Sequence, residues 1–347
     1  QYEEELEKIR TRKRNYTPWQ VAIGAGFACG GFCIQFGCDW MAFLYASIAA
    51  IIGMRVRAKC NESGLNHYMG IAISAFIATM LAWASTLLPA EWTSTPWHPL
   101  LACALFIVPG VPLINFVDDM LDNYIQVGIV RAVNTLLMVS AMAFGIAFAV
   151  KLCSIGDFFP TISMVPHHNY LEYAIAAAIS AMGFSMIFNI QRRLLWVVAI
   201  GGIIAVCTRN FVNLGPSTNN IGLDMGLVIG SFSGSVLVSL IAIKAVHWFH
   251  VPNHVLTIPS VIPMIPGVLM YRMLFGLINM NVQSIDQVTP LMKAIESGVN
   301  SGLVIMCIAL GVAIPNIFGR KYIASSKNKR LAEILKERKA RGKFVEW

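Results

Sequence analysis

The chain has 347 residues, 56% of them hydrophobic and 13% charged, with a mean hydropathy of +0.64. A soluble domain is about a quarter charged, so this composition excludes an ordinary soluble protein, and the length counts membrane spans rather than globular domains. The net charge of +8 mostly reflects the crowding of cations into segments on one side of the apolar stretches, which favours anionic lipid over nucleic acid as the charged partner.

Ten apolar stretches follow in two sets of five. The first set is Trp19 to Gln35, Trp40 to Met54, Tyr68 to Leu88, Pro99 to Val117 and Val127 to Leu152. The second is Tyr170 to Phe188, Leu194 to Leu214, Leu223 to Val246, Val255 to Ile278 and Gly298 to Phe318. About 20 apolar residues cross a ~30 Å hydrocarbon core, so each reads as a helical span, with Trp40 to Met54 at the short end. The fold class expected is an all-α polytopic membrane protein. Its parts are a stub at 1–18, a five-helix module at 19–155, a second at 156–319, and a basic tail at 320–347.

The fourth stretch of each set carries a Pro-Gly near its middle, at Pro109-Gly110 and at Pro266-Gly267. Opening a helix in hydrocarbon frees N–H and C=O groups, which survive only where protein packs around them or a wet cavity is lined. Paired interruptions in two halves point to a transporter binding site. The bland alternative is a pair of proline kinks in a membrane protein that transports nothing.

Cations set the orientation. With the N-terminus in the cytoplasm, 22 of the 26 Lys and Arg fall in inner segments, including Lys8 to Arg14, Arg55 to Lys59, Arg131, Arg192, Arg193 and the tail. The positive-inside rule then places both termini in the cytoplasm. Both termini inside requires an even number of spans. Five per half is odd, so the second half must run inverted, a recurrent plan for secondary transporters. Trp92 and Trp97 suit an outer aromatic belt.

The segment "FIVPGVPLINFVDDMLDNYIQVGIVR", from Phe106 to Arg131, resembles the central motif of the threonine/serine exporter family, in which Pro-Gly, Asn, Asp and a later Arg recur in order. "FCIQFGCDW", from Phe32 to Trp40, is similar to the family's segment between its first two spans. The second half, through "SVIPMIPGVLMYRMLFG", resembles its other module. The resemblance implies export of an amino acid such as threonine or serine, or of a dicarboxylate such as succinate, from a bacterial inner membrane. It also implies a longer cytoplasmic segment ahead of the first span, so residues 1–18 are read as the stub of one. The two modules occur as separate partner proteins in some members, and here they are fused, with the join between Cys153 and Asn169.

Candidate substrate residues are Pro109, Gly110, Asn115, Asp119, Arg209, Pro266, Gly267, Tyr271 and Arg272. Asn115 and Asp119 stand i, i+4 on one helix face, giving one cavity an amide and a carboxylate. Arg209 and Arg272 supply planar guanidinium forks for a carboxylate, or alternatively pair with Asp39 or Asp224. The backbone N–H groups of a broken helix's N-terminus suit an anion. Asp118 and Asp119 are the candidate proton carriers, because adjacent carboxylates resist ionising together; the alternative is a solvated helix end. Arg131, Arg192 and Arg193 read as cytoplasmic anchors or gate salt bridges.

The eight cysteines form no Cys-x-x-Cys pair and read as small hydrophobes. His247, His250 and His254 lie without a nearby acid or thiol, a weak metal signal. No Walker loop, dinucleotide glycine pattern or nucleophile elbow is present, so no cofactor is expected and an ion gradient is the energy source. The partners expected are the substrate and membrane lipid, with self-association into a homo-oligomer left open. Two rivals remain: an intramembrane enzyme using Asp118 and Asp119, whose positions diverge by about 100° on a helix, and a non-transporting scaffold.

Overall fold

A computed structural model describes residues 2–11, 14–87, 89–153, 168–216, 221–278 and 288–340. The described residues are helical, in thirteen α-helices with short 3-10 turns. In chain order they are α1 Tyr2–Arg10, α2 Pro18–Gln35, α3 Trp40–Glu62, α4 His67–Ala84, α5 Pro99–Ala102, α6 Gly110–Leu121 and α7 Ile125–Leu152. There follow α8 Tyr170–Ile187, α9 Leu195–Asn213, α10 Leu227–Phe249, α11 Asn253–Val261, α12 Gly267–Ile278 and α13 Val288–Ala340. Most of the expected join between the modules, together with Leu88, His167 and residues 341–347, lies outside the described residues.

Seven helical segments are long and apolar enough to cross a membrane: those of α3, α4, α7, α8, α9, α10 and the Leu291–Gly319 part of α13. All seven fall on expected stretches. The other three stretches are α2, whose Gln20, Gln35 and four glycines dilute its hydropathy, and the two interrupted ones, whose pieces are each too short to cross alone.

Two boundaries differ from expectation. The second stretch does not stop at Met54 but continues helically to Glu62. Counting apolar letters ended it at Arg55, whereas a long cationic side chain can stay in a helix and reach outward. Arg55 does so by lying over the Trp19 ring, 4.7 Å from its centre. The last stretch likewise runs on without a break into the basic tail, so that span and tail are one helix, α13.

Caps explain where several helices start and stop. α2 opens on a capping box, with Thr17 accepting from the Gln20 N–H and Gln20 reaching back to the Thr17 N–H, and with Pro18 in the first turn. α8 opens on a second box, Asn169 with Glu172. Both close alike: Phe36 and Phe188 bond back to Phe32 and Phe184, and the next residues, Gly37 (φ +85°) and Asn189 (φ +58°), turn left-handed.

α2 and α8 cross closely through small residues. A Cβ on Gly31 would stand 2.6 Å from the Ala176 carbonyl oxygen, and one on Gly183 would stand 2.4 Å from that of Gly24. Close backbone approach of this kind is how helices associate in lipid, where burying apolar surface gives no net drive. The remaining contacts come in matched pairs: α2 on α3 and α8 on α9, α4 on α7 and α10 on α13, α6 on α7 and α12 on α13. One buried cluster runs through both halves and includes Phe32, Leu105, Ile107, Phe184, Ile262 and Met264. Large apolar side chains such as Leu136, Phe144, Phe148 and Phe318 point outward, as a lipid-facing surface requires.

Candidate functional site

Each Pro-Gly sits where a short helix and a 3-10 turn give way to a new helix. Leu105–Ile107 precede Pro109 and α6 starts at Gly110; Ile262–Met264 precede Pro266 and α12 starts at Gly267. The bonding is the same in both. The Val108 N–H donates to the Leu105 carbonyl, the Gly110 N–H to Val108, and the Leu113 N–H to Pro109. The same three bonds recur 157 residues later, at Ile265 to Ile262, Gly267 to Ile265 and Met270 to Pro266.

The two turns face each other. A Cβ on Gly110 would meet Ile265 at 2.9 Å and Ile262 at 3.2 Å, and one on Gly267 would meet Leu105 at 2.5 Å and Val108 at 3.6 Å. Those contacts are reciprocal, since Leu105 and Val108 hold the same places before Pro109 as Ile262 and Ile265 do before Pro266. The helix N-termini of α6 and α12 therefore converge, with their positive ends near one another. Beside them Phe32 meets Phe184 edge to face, 5.8 Å between ring centres. Phe32, Leu105, Val108, Phe184, Ile262, Ile265 and Gly267 enclose a cavity of about 10 Å³. That is room for about one water molecule, so the structure is closed at this point.

Cysteine chemistry, read from sequence only as packing, supports the first break. The Phe106 N–H, freed by the opened helix, donates to Cys29 Sγ at 3.2 Å, and Cys29 lies near the Cys103 carbonyl at 3.7 Å. At the matching place of the second break stands Pro263, which has no N–H. The position on α8 that matches Cys29, 152 residues on, is Ala181. An acceptor is present where a donor needs one and absent where proline has removed the donor. A periodicity argument had no access to this pairing, because it depends on which helix crosses which.

The other expected site residues disperse. Asn115, Asp118 and Asp119 are half-buried along α6. Asp119 accepts from Arg131 Nη1 at 2.6 Å, an ion pair between the end of α6 and the start of α7. Arg209 lies near the far end of α9, about 21 Å along from Leu195 at 1.5 Å per residue, and its Nε and Nη2 donate to Asn210 Oδ1 at 3.1 and 3.0 Å. Among the described residues Asn210 is the partner found, rather than Asp39 or Asp224. Arg272 is half-buried on α12, and the side chain of Tyr271 lies outside the described residues. The structure thus brings Gly110 and Gly267 together, but holds Asp119 and Arg209 near opposite ends of the bundle. No group of three His, Cys, Asp or Glu suited to a metal occurs among the described residues.

Asp39 has a different setting from the one expected. It caps α3 through the Ala42 N–H at 2.7 Å and accepts from Thr93 Oγ1 at 2.8 Å and the Ser94 N–H at 2.7 Å, tying the α2–α3 junction to the segment after α4. Burial pushes its carboxyl up, but the bonds from Ala42, Thr93 and Ser94 outweigh it and hold the group below its ordinary value.

Residues 1–153 match a family model described as "Putative threonine/serine exporter", and residues 173–318 match a second, "Threonine/Serine exporter, ThrE". Among curated proteins, the chain is 28% identical over 137 residues to the "Probable succinate transporter subunit YjjP" of Klebsiella aerogenes. It is 29% identical over 137 residues to the protein of the same name in Escherichia coli strain K12. Each match covers 40% of this chain and 53% of the relative, so the chain spans about half the length of the curated relatives it matches. No solved structure matches.

Proposed function

The chain belongs to the threonine/serine exporter family, and from that premise we propose that it is a secondary active exporter of small carboxylate-bearing metabolites. The substrate class is a threonine- or serine-like amino acid or a dicarboxylate such as succinate, and the mechanism is alternating access around the paired breaks. One observation carries the reading: two helix N-termini meet at reciprocally packed Pro-Gly turns. Converging N-termini favour a carboxylate, and placement at the interface of two repeats is the transporter pattern. With a cavity of about 10 Å³ this is a closed form, in which the turns must part to admit a solute.

In this reading ten helical passes form two inverted sets of five, with α5 and α6 as the broken fourth pass and α11 and α12 as the ninth. The end of the bundle carrying Arg192 faces the cytoplasm and the end carrying Asp39 faces outside, as the cation distribution supports. Arg272 and Arg209 serve a substrate carboxylate when the cavity opens. The relatives are named as transporter subunits, and by extension each half of this chain acts as one module of a two-module machine.

Export against a gradient draws on protons, with Asp118 and Asp119 as the coupling pair. The Arg131 bridge gives Asp119 a cationic partner in the closed form, and Asp118 stands beside it on α6. A scaffold or an enzyme would show no sealed-compartment dependence. The test is efflux of a panel of labelled amino acids and dicarboxylates from proteoliposomes, comparing wild type with Gly110→Leu and Gly267→Leu. A leucine at either position would press on the Ile262, Ile265 or Leu105 side chains of the facing turn. Efflux of at least one solute that both variants abolish, at undiminished membrane abundance, is the expected result. Normal efflux by both variants would move the site away from the breaks.

A further inference from the structure

The crossing of α2 and α8 is fastened at both ends, by matched positions but with different chemistry. At the Arg192 end, Asn15 donates two bonds of 2.8 Å to Asn189, from its N–H to Asn189 Oδ1 and from its Nδ2 to the Asn189 carbonyl. Arg192 donates to the Asn15 carbonyl at 3.2 and 3.0 Å and to Gln20 Oε1 at 3.0 Å. At the Asp39 end the places of Tyr16, Gln20 and Arg192 are taken, 152 residues away, by His168, Glu172 and Trp40. His168 Nε2 lies 2.6 Å from the Cys38 carbonyl oxygen and Nδ1 lies 2.9 Å from Glu172 Oε2. Glu172 also accepts from the Asn169 N–H at 3.1 Å and from the Trp40 side chain.

We propose that His168 and Glu172 form a proton-binding site that locks the Asp39 end of the α2–α8 crossing when occupied and releases it when the proton leaves. The argument is a count of hydrogens. A carbonyl oxygen and a carboxylate are both acceptors, and a neutral imidazole has one N–H to offer. Both contacts are satisfied only if the imidazole–carboxylate pair holds one proton more than neutral imidazole with ionised carboxylate. The two further donors on Glu172 favour the carboxylate, so the extra proton resides on the ring. Loss of that proton leaves the ring a single N–H, which the ionised carboxylate of Glu172 holds in preference to a neutral carbonyl, so the link to Cys38 breaks.

Imidazoles change charge in the range of about pH 5 to 8. The opposite end relies on Arg, Asn and Gln, which do not, so the sensitivity is one-sided. Titratable groups around the site are Tyr170, Glu172 and Tyr173 on α8, Cys38 and Asp39 at the α2–α3 junction, and Cys207 and Arg209 on α9. Tyr173 presents its ring edge-on to His168, 5.9 Å between centres.

That this end is the outer gate rests on the export reading; the proton lock does not. The test therefore reads the lock directly. Cys38 is fully buried beneath it. The full chain in lipid nanodiscs is treated with a maleimide between pH 5.5 and 8, and modification of Cys38 is followed by mass spectrometry, relative to free glutathione at the same pH. The expected relative rate rises about tenfold across this range in wild type. It is high and flat in His168→Phe, and low and flat in Glu172→Gln, whose amide can donate to Nδ1 of a neutral ring and so satisfy both contacts without the extra proton. A flat wild-type profile, or an unchanged profile in Glu172→Gln, would overturn the proposal. Efflux from proteoliposomes is measured alongside: pH-dependent labelling without efflux of any solute would defeat the export reading and leave the lock standing.

Discussion

Cys29 shows what a single side chain does at an opened helix. A buried N–H without a partner costs ~1–3 kcal/mol, and the Phe106 N–H is spared that cost by the Cys29 sulfur. Cys29→Ala removes the acceptor and should lower thermal stability by about that amount. Cys29→Ser restores an oxygen acceptor of similar size and should recover most of the loss in the same unfolding assay. If alanine and serine behave alike, the contact is packing alone. Asp39 provides the pH-dependent case. Its carboxyl is held below its ordinary value, so its contribution is fully present above about pH 4, where the unfolded group is ionised, and is lost as the pH falls through the folded value. Unfolding temperature followed downward from pH 6 should drop in wild type, and Asp39→Asn, already lacking the charge, should drop less over the same interval. Both residues stand in the sequence in plain view, but their roles depend on Phe106 and on Thr93 and Ser94, which only the folded chain brings to them.

At the scale of elements, what could be read was whatever leaves a mark along one strand of sequence. Pro-Gly does, because proline removes a donor and glycine tolerates close approach, and the helices restart at Gly110 and Gly267. The apolar length of most stretches does as well. The extension of α3 through Arg55 and Arg57 does not, since a charge reads as an end although the helix continues. Nor does the α2–α8 crossing, where Gly24, Ala28 and Gly31 meet Ala176, Ser180 and Gly183. Small residues are common in membrane helices, and only the partner reveals which ones touch. Gly31→Leu or Gly183→Leu would drive a side chain into facing backbone rather than into a flexible side chain. Overpacking of this kind costs ~1–3 kcal/mol or more, so both variants should lose folded protein in detergent. Gly302→Leu, where nothing lies within 4 Å of the added atom, should not.

For the molecule as a whole, the recurring bonds give a physical reason for the proposed inversion. The closing bonds of α2 repeat at the end of α8, and those of the first break repeat at the second. Because α2 runs from the Asn15–Asn189 contact toward Cys38, and α8 runs from His168 back toward Asn189, the two helices are antiparallel. Under the proposed inversion, two like-built halves whose first helices run in opposite directions would be related by an axis lying across the bundle and would insert with opposite orientation. In the proposed orientation the inner end is the one that carries Arg55, Arg57 and Lys59 at the close of α3 and Arg192 and Arg193 between α8 and α9. Ser63, just past α3, and Glu91, before α5, are exposed and lie toward opposite ends of the bundle. A cysteine replacing Glu91 should react with an impermeant maleimide added to intact cells, and one replacing Ser63 should react only after the membrane is opened. Labelling of the Ser63 replacement from outside would reverse the orientation and place the His168 lock in the cytoplasm. Labelling of both from outside would put them on one side and break the inverted arrangement itself.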